Sequence, residues 1–207
     1  MDLQNSTKYD QILDALQKLL ASKNIRNISV SEIAQTAGIG KGSIYYYFPS
    51  KDAILEALIE RSYKKPLEIA SQLAGQTDVS PFTRMAMIFQ ACRNSSKEVP
   101  PPPSQIDARE NVFIHHGYMT HLITELKGPL TEIIRQGIAS GDIHFEYPAA
   151  LAEIALIVLS VKIDNTLSPS SSEEIEETLQ GLIALLEKGT DNPAGSLNFL
   201  KISHKLW

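Results

Sequence analysis

Ser29-Val30-Ser31-Glu32-Ile33-Ala34-Gln35-Thr36-Ala37-Gly38-Ile39-Gly40-Lys41-Gly42-Ser43-Ile44-Tyr45-Tyr46-Tyr47-Phe48-Pro49-Ser50 is the stretch that decides the fold. Ser29 precedes Glu32 by three residues, the capping-box spacing at which each side chain satisfies a free backbone N–H of the other residue. A short helix is therefore expected over about 30–37, stopped by Gly38, which tolerates the left-handed conformation of a helix C-terminus. After the Gly38-Ile39-Gly40 turn the helical pattern resumes over 41–48 and is closed by Pro49. Upstream, Ile12, Leu13, Leu16, Leu19 and Leu20 form one apolar face, which makes 7–23 an amphipathic helix capped by Ser6 or Thr7. Three short helices around a glycine turn make a helix-turn-helix, whose helix after the turn lies in the DNA major groove.

The chemistry of that last helix fits the role. Tyr45-Tyr46-Tyr47 and Gly42 all sacrifice helix propensity, so stability alone did not select them. Gly42 lets the backbone approach DNA closely, Ser43 and the tyrosine hydroxyls can donate to phosphate oxygens, and Lys41 reaches a guanine edge or a phosphate. Ile44 and Phe48, four apart, face inward against Ile33 and Ala34. By residue chemistry alone Tyr46 fits either a phosphate contact or packing between helices.

Working outward, Ile54, Leu55, Leu58 and Ile59 form the apolar stripe of a fourth helix, from about Ser50 to Lys65, where Pro66 is expected to end it. Helices are expected over 82–93, over about 107–126 with a kinked continuation past Gly128-Pro129 to Ile138, over 149–166 and over 172–189. Pro100 to Pro103 form an extended connector. The helix 149–166 is apolar nearly all round, and 172–189 carries one apolar face of Ile175, Leu179, Leu182, Ile183 and Leu186 behind an acidic first turn. The expected fold is all-α: a DNA-binding domain at 6–51, a larger helical effector-binding and dimerisation domain at 52–189, and a tail at 190–207 to which the pattern assigns no structure.

The chain has 207 residues, 43% hydrophobic and 21% charged, the proportions of a soluble globular protein. Its longest apolar run, 149–163, is broken by Glu153 and falls short of a membrane span. A single cysteine, Cys92, and the absence of a signal-peptide pattern at 1–20 lead us to expect an unsecreted, cytoplasmic protein. The net charge of −5 is uneven: residues 1–65 hold 9 Lys+Arg against 7 Asp+Glu, and residues 66–207 hold 10 against 17. A mildly basic head thus precedes an acidic body.

The segment from Ser29 through Pro49-Ser50-Lys51-Asp52-Ala53-Ile54-Leu55 closely resembles, without gaps, the DNA-binding signature of the TetR family, the tetracycline-repressor-like regulators. The likeness extends back through the helix at 7–23. A second, weaker likeness lies in Ile133-Ile134-Arg135-Gln136-Gly137-Ile138-Ala139-Ser140-Gly141-Asp142-Ile143. Lys23-Asn24-Ile25 departs from it, standing where many members carry a glycine. The resemblance implies that Lys41, Gly42 and Ser43 begin the recognition helix that reads bases, that Tyr45 and Tyr46 bind backbone phosphate, that Lys51 clamps another phosphate, and that Ser31 adds a contact from the preceding helix. It also implies a homodimer built through 149–166 and 172–189, bound to a palindromic operator in double-stranded DNA. Such a protein is a cytoplasmic bacterial regulator, at the nucleoid when bound, usually a repressor released by a small-molecule effector.

Other constellations are weaker. Gly38-Ile39-Gly40-Lys41-Gly42-Ser43 lacks the spacing of a phosphate-binding loop and follows a helix, not a strand. His121 and Glu125 share a helix face, but His115 and His116 cannot both join them, so no metal site is expected. No catalytic arrangement stands out, and neither enzyme activity nor a cofactor is expected. Met85, Phe89, Phe113, His116 and Tyr118 are candidates to line an effector cavity, with core packing the competing reading for each. The alternative function is a regulator of the same fold that answers to a protein partner or to no ligand.

Overall fold

The computed structural model describes residues 7–96, 112–165 and 167–201. Those residues form eight α-helices: α1 (Lys8–Leu20), α2 (Val30–Ala37), α3 (Lys41–Tyr47), α4 (Lys51–Ala74), α5 (Pro81–Ser96), α6 (Val112–Ser140), α7 (Pro148–Asp164) and α8 (Ser172–Gly189). No strand occurs among them. The proline connector, the start of α6 expected at 107–111, and the last six residues lie outside the described residues. By packing, the chain divides into two compact units. The first takes α1 to α3, α4 as far as Ser62 and α6 as far as Tyr118; the second takes the rest.

The first unit is organised by the apolar face of α1. Ile12, Leu13 and Leu16 are fully buried with Ile33 of α2, Ile44 and Phe48 at α3, and Ile54 of α4. Each such side chain contributes about 1.5–3 kcal/mol by leaving water. Gly38 adopts φ +70° and ends α2. The N–H of Ile39 then reaches back to the Ala34 carbonyl at 3.0 Å, and Ile39 packs onto the same core.

The turn from α1 to α2 forms without a glycine. A 3-10 turn, Ile25–Asn27, is started by Asn24, whose buried Oδ1 accepts the Arg26 N–H at 2.8 Å, and no residue there has positive φ. Ser29 and Glu32 cap α2 reciprocally, as their spacing predicts.

Several helix ends shift by two or three residues, and the end of α4 departs furthest from expectation. Helix α4 does not stop at Lys65 but runs through Pro66 to Ala74. Pro66 costs the helix one N–H and crowds the preceding turn, yet it is fully buried, and that burial offsets the local penalty.

In the second unit, Arg84 of α5 is only 2% exposed. Its Nη1 donates to the Leu73 carbonyl at 3.3 Å and to Gln136 Oε1 at 2.5 Å, while Gln136 Nε2 donates to the Ala74 carbonyl at 3.0 Å. Side chains of α5 and α6 thus satisfy carbonyls at the C-terminal end of α4, the end where a cation is electrostatically favoured. Gly137 permits close approach: a Cβ there would lie 2.8 Å from Ile143 Cδ1. Helix α8 begins with a second capping box, Ser171 with Glu174. The tail from Thr190 folds back as far as it is described. Glu187 Oε1 accepts the N–H groups of Gly195 and Leu197, both at 2.9 Å, and Leu197 and Leu200 are buried against Ile183.

Candidate nucleic-acid interface

Helix α3 is positioned from its inner face. Ile44 is buried in the core, and Phe48, just past the helix end, packs its ring on Tyr9 of α1 at 4.8 Å. With those two turned in, Lys41, Gly42, Tyr45 and Tyr46 are exposed, and Ser43 is half-buried. Tyr46 is 83% exposed and Tyr45 52%; Tyr47 stands edge-on to Tyr46, ring centroids 5.0 Å apart. The core holds neither Tyr45 nor Tyr46, so the helix presents aromatic rings and hydroxyls to its surroundings.

Gly42 adds to this. A Cβ built there meets nothing within 4 Å, and its φ is not positive. Among the described residues nothing requires glycine at 42. Gly40, the N-cap of α3, is equally open and makes no side-chain cap, which leaves the first N–H groups of the helix without a side-chain acceptor. Ser31 is exposed on α2, near its capped N-terminus.

Lys51 sits differently from the rest of the expected contact set. Its Nζ donates to the carbonyls of Ile25, at 2.8 Å, and Ile28, at 3.0 Å, and the residue is half-buried. The sequence pattern carries no signal for these bonds, because their partners lie 26 and 23 residues away. The same turn is braced from its other side by Lys23, whose Nζ lies 2.7 Å from Glu32 Oε1. That ammonium, together with the N–H and hydroxyl of Ser29, holds the Glu32 carboxyl down at about 2.

The candidate effector residues fall in both units. Met85 and Phe89 are half-buried and pack against the cluster of Ile183, Leu197 and Leu200. His116 is exposed and belongs to the first unit, and the side chains of Phe113 and Tyr118 lie outside the described residues. An open groove of about 510 Å³ is lined by Ile138, Ile143, His144, Phe145, Glu146 and Tyr147, none of them in the expected set. His121 stacks on buried Tyr63 at 4.2 Å, and among the described residues no group of three His, Cys, Asp or Glu side chains is placed to hold a metal; the side chain of His115 lies outside them. Burial pushes the Cys92 thiol up to about 11, which makes it a poor nucleophile. No helix among the described residues is long and apolar enough to cross a membrane.

Residues 12–58 match the family described as bacterial regulatory proteins, tetR family. The chain is 35% identical over 79 residues to the uncharacterised HTH-type transcriptional regulator YvdT of Bacillus subtilis, covering 38% of this chain and 41% of that one. It is 44% identical over 54 residues to the HTH-type transcriptional regulator EthR of Mycolicibacterium smegmatis, covering 26% and 25%. These matches span less than half of the relatives' own lengths. Among solved structures, SmeT, the repressor of the Stenotrophomonas maltophilia multidrug efflux pump SmeDEF, superposes with a TM-score of 0.65 at 13% identity over 92% of this chain and 93% of that one. RolR in complex with resorcinol superposes with a TM-score of 0.58 at 18% identity over 95% and 94%. At such identities the superpositions establish the fold.

Proposed function

We propose, from the premise that this chain carries the helix-turn-helix head of a TetR-family transcriptional regulator, that it is a dimeric, sequence-specific DNA-binding regulator and no enzyme. In this reading it represses transcription from a palindromic operator in the bacterial cytoplasm. The observation that carries the reading is the outer face of α3, where Lys41, the open Gly42, Tyr45 and Tyr46 are presented together while Ile44 and Phe48 anchor the helix from behind. Lys41 and Ser43 read base edges, Gly42 admits the DNA backbone, the hydroxyls of Tyr45 and Tyr46 donate to phosphate oxygens, and Ser31 adds a contact from α2.

Two heads are needed because one short helix contacts few base pairs. A dimer through α7 and α8 sets two recognition helices about 34–36 Å apart, one turn of DNA. Exposed apolar side chains on these helices, Ile154, Ile157 and Leu185, support such an interface. An effector that binds the body better in one head spacing than the other would shift operator affinity by that difference. The resorcinol complex of RolR supports a small aromatic ligand as the first class to screen. The packing of Met85 and Phe89 against that cluster favours a second reading, in which the regulator answers to a protein partner or to no ligand.

Selection from random duplex DNA at physiological salt tests the proposal, because nonspecific binding fades there while two-headed specific binding persists. Enrichment of a palindrome with half-sites one turn apart is the expected result. Recovery of unrelated sequences only would sink it.

A further inference from the structure

We propose that residues 193–201 are a detachable strap lying in a binding site of the second unit, and that this site, on the apolar faces of α5 and α8, takes an aromatic molecule bearing an N–H or O–H donor. The inference rests on the reading of the chain as a regulator that answers to a small molecule, and it gives that molecule a place.

The strap has one fixed end. Thr190 is 2% exposed and its carbonyl accepts the His144 N–H at 2.9 Å, while the Asn192 N–H donates to the Glu187 carbonyl at 2.8 Å. Beyond that hinge the polar grip is slight. Among the described residues, every hydrogen bond of 193–201 either stays inside the segment or ends on one atom, Glu187 Oε1, which accepts the N–H groups of Gly195 and Leu197. The rest of the hold is apolar: Leu197 and Leu200 are buried, and the ring of Phe199 stands edge-on to Phe89 at 6.2 Å. Two features oppose the closed form. Ser196 Oγ is buried with no hydrogen-bond partner, and Asp191 takes a φ of +51°, where a Cβ is strained. A segment whose hydrogen bonds are mostly its own can open locally while the unit beneath it stays folded.

What the strap covers defines the ligand. Phe82, Met85 and Phe89 recur along one face of α5, and Ile183 and Leu186 along one face of α8. Lifting Leu197, Phe199 and Leu200 away wets that surface, so whatever replaces them must itself be apolar. Glu187 adds a polar requirement, because its carboxylate can only accept and loses two donors when the strap leaves. An aromatic body with one donor meets both demands, as Phe199 and the Leu197 N–H do in the closed form.

The test uses amide hydrogen exchange on the full chain, with two probes. Indole has the ring and the donor; 1-methylindole keeps the ring and lacks the donor. Without a probe, the amides of Gly195, Leu197 and Leu200 should exchange at least about a hundredfold faster than those of Ile183 and Leu186 in α8. Equal protection would make the segment part of the core and overturn the proposal. Indole should speed exchange at the three strap amides further, in a saturable way, and bind about tenfold more tightly than 1-methylindole. Unchanged strap amides, or equal affinities for the two probes, would equally overturn it.

Glu187→Leu removes the clasp. In this variant the strap amides should exchange about tenfold faster than in wild type and the preference for indole should vanish; a preference retained would refute the role of Glu187. Should the variant fail to fold, the comparison of the two probes on wild type decides alone. None of these measurements involves DNA. If the wild type enriches no duplex, the proposed function falls and the strap is still decided; if it enriches one and the strap stays shut, the regulator stands and the strap falls.

Discussion

Under the proposed function, Gly42 faces opposed demands from the fold and from DNA. Within the chain, alanine at this position would meet no atom within 4 Å and would favour the helix by about 1 kcal/mol. At a DNA surface the same methyl stands between the backbone of α3 and the duplex. Gly42→Ala is therefore expected to melt slightly higher than wild type and to bind the selected duplex at least about tenfold more weakly, since close backbone approach is lost. Thermal denaturation and a binding titration read the two effects separately, and unchanged affinity would remove Gly42 from the interface. By helical period Lys41, seven residues before Phe48, falls on the inner side and is exposed because it opens α3; Gly42 and Tyr46, opposite Ile44, are the outward positions that the period made legible, although side-chain chemistry alone left Tyr46 open to packing. The two carbonyl bonds of Lys51 were not legible, because no periodicity says which distant carbonyl a lysine will find.

Among the elements, α2 shows how far local chemistry reaches. Ser29, Glu32 and Gly38 bound it in sequence and in structure alike, because caps act within a few residues. Glu32 has a further role that the sequence did not signal, since Lys23 comes to it across the turn. Its carboxyl, lowered in the folded protein from 4.5 to about 2, contributes stability that is fully present above about pH 4.5 and is lost as pH falls toward 2. Glu32→Gln keeps an acceptor for the Ser29 N–H but cannot titrate or pair with Lys23. Denaturant melts of the variant should lose less stability than wild type between pH 5 and pH 2.5, and parallel declines would show that Glu32 does not drive that loss. Helix α4 marks the other limit. A proline rule that is sound locally ended it at Lys65, but the burial of Pro66 depends on packing partners that no window around residue 66 contains. The same limit hid the cavity question, since whether Met85 and Phe89 face a ligand or Ile183 and Leu197 is decided by the whole second unit.

For the whole molecule, the proposed function depends on two heads acting together, and α7 and α8 are where the chain itself argues for a second copy. The apolar run of α7 was evident in the sequence as a helix with no solvent face, and in one chain it leaves Ile154 53% exposed and Ile157 46% exposed, while Leu185 of α8 is 73% exposed. A helix apolar all round demands cover on every side, and contiguous apolar side chains left on a surface mark an interaction site. Ile157→Glu puts a charge into that surface at little cost to the single chain, because the position is already half in water. Burying this charge against a second copy would cost several kcal/mol, enough to dissociate a dimer of ordinary size. The variant is expected to sediment as a folded monomer with unchanged helix content. Its affinity for the palindrome should drop by about a hundredfold or more, to the level that a single half-site shows for wild type. Because α3 is untouched, the residual preference for the half-site sequence should survive. A variant that still sediments as a dimer and binds the palindrome at full strength would place the interface elsewhere, and one that loses half-site preference as well would show that the heads do not fold independently of the pairing.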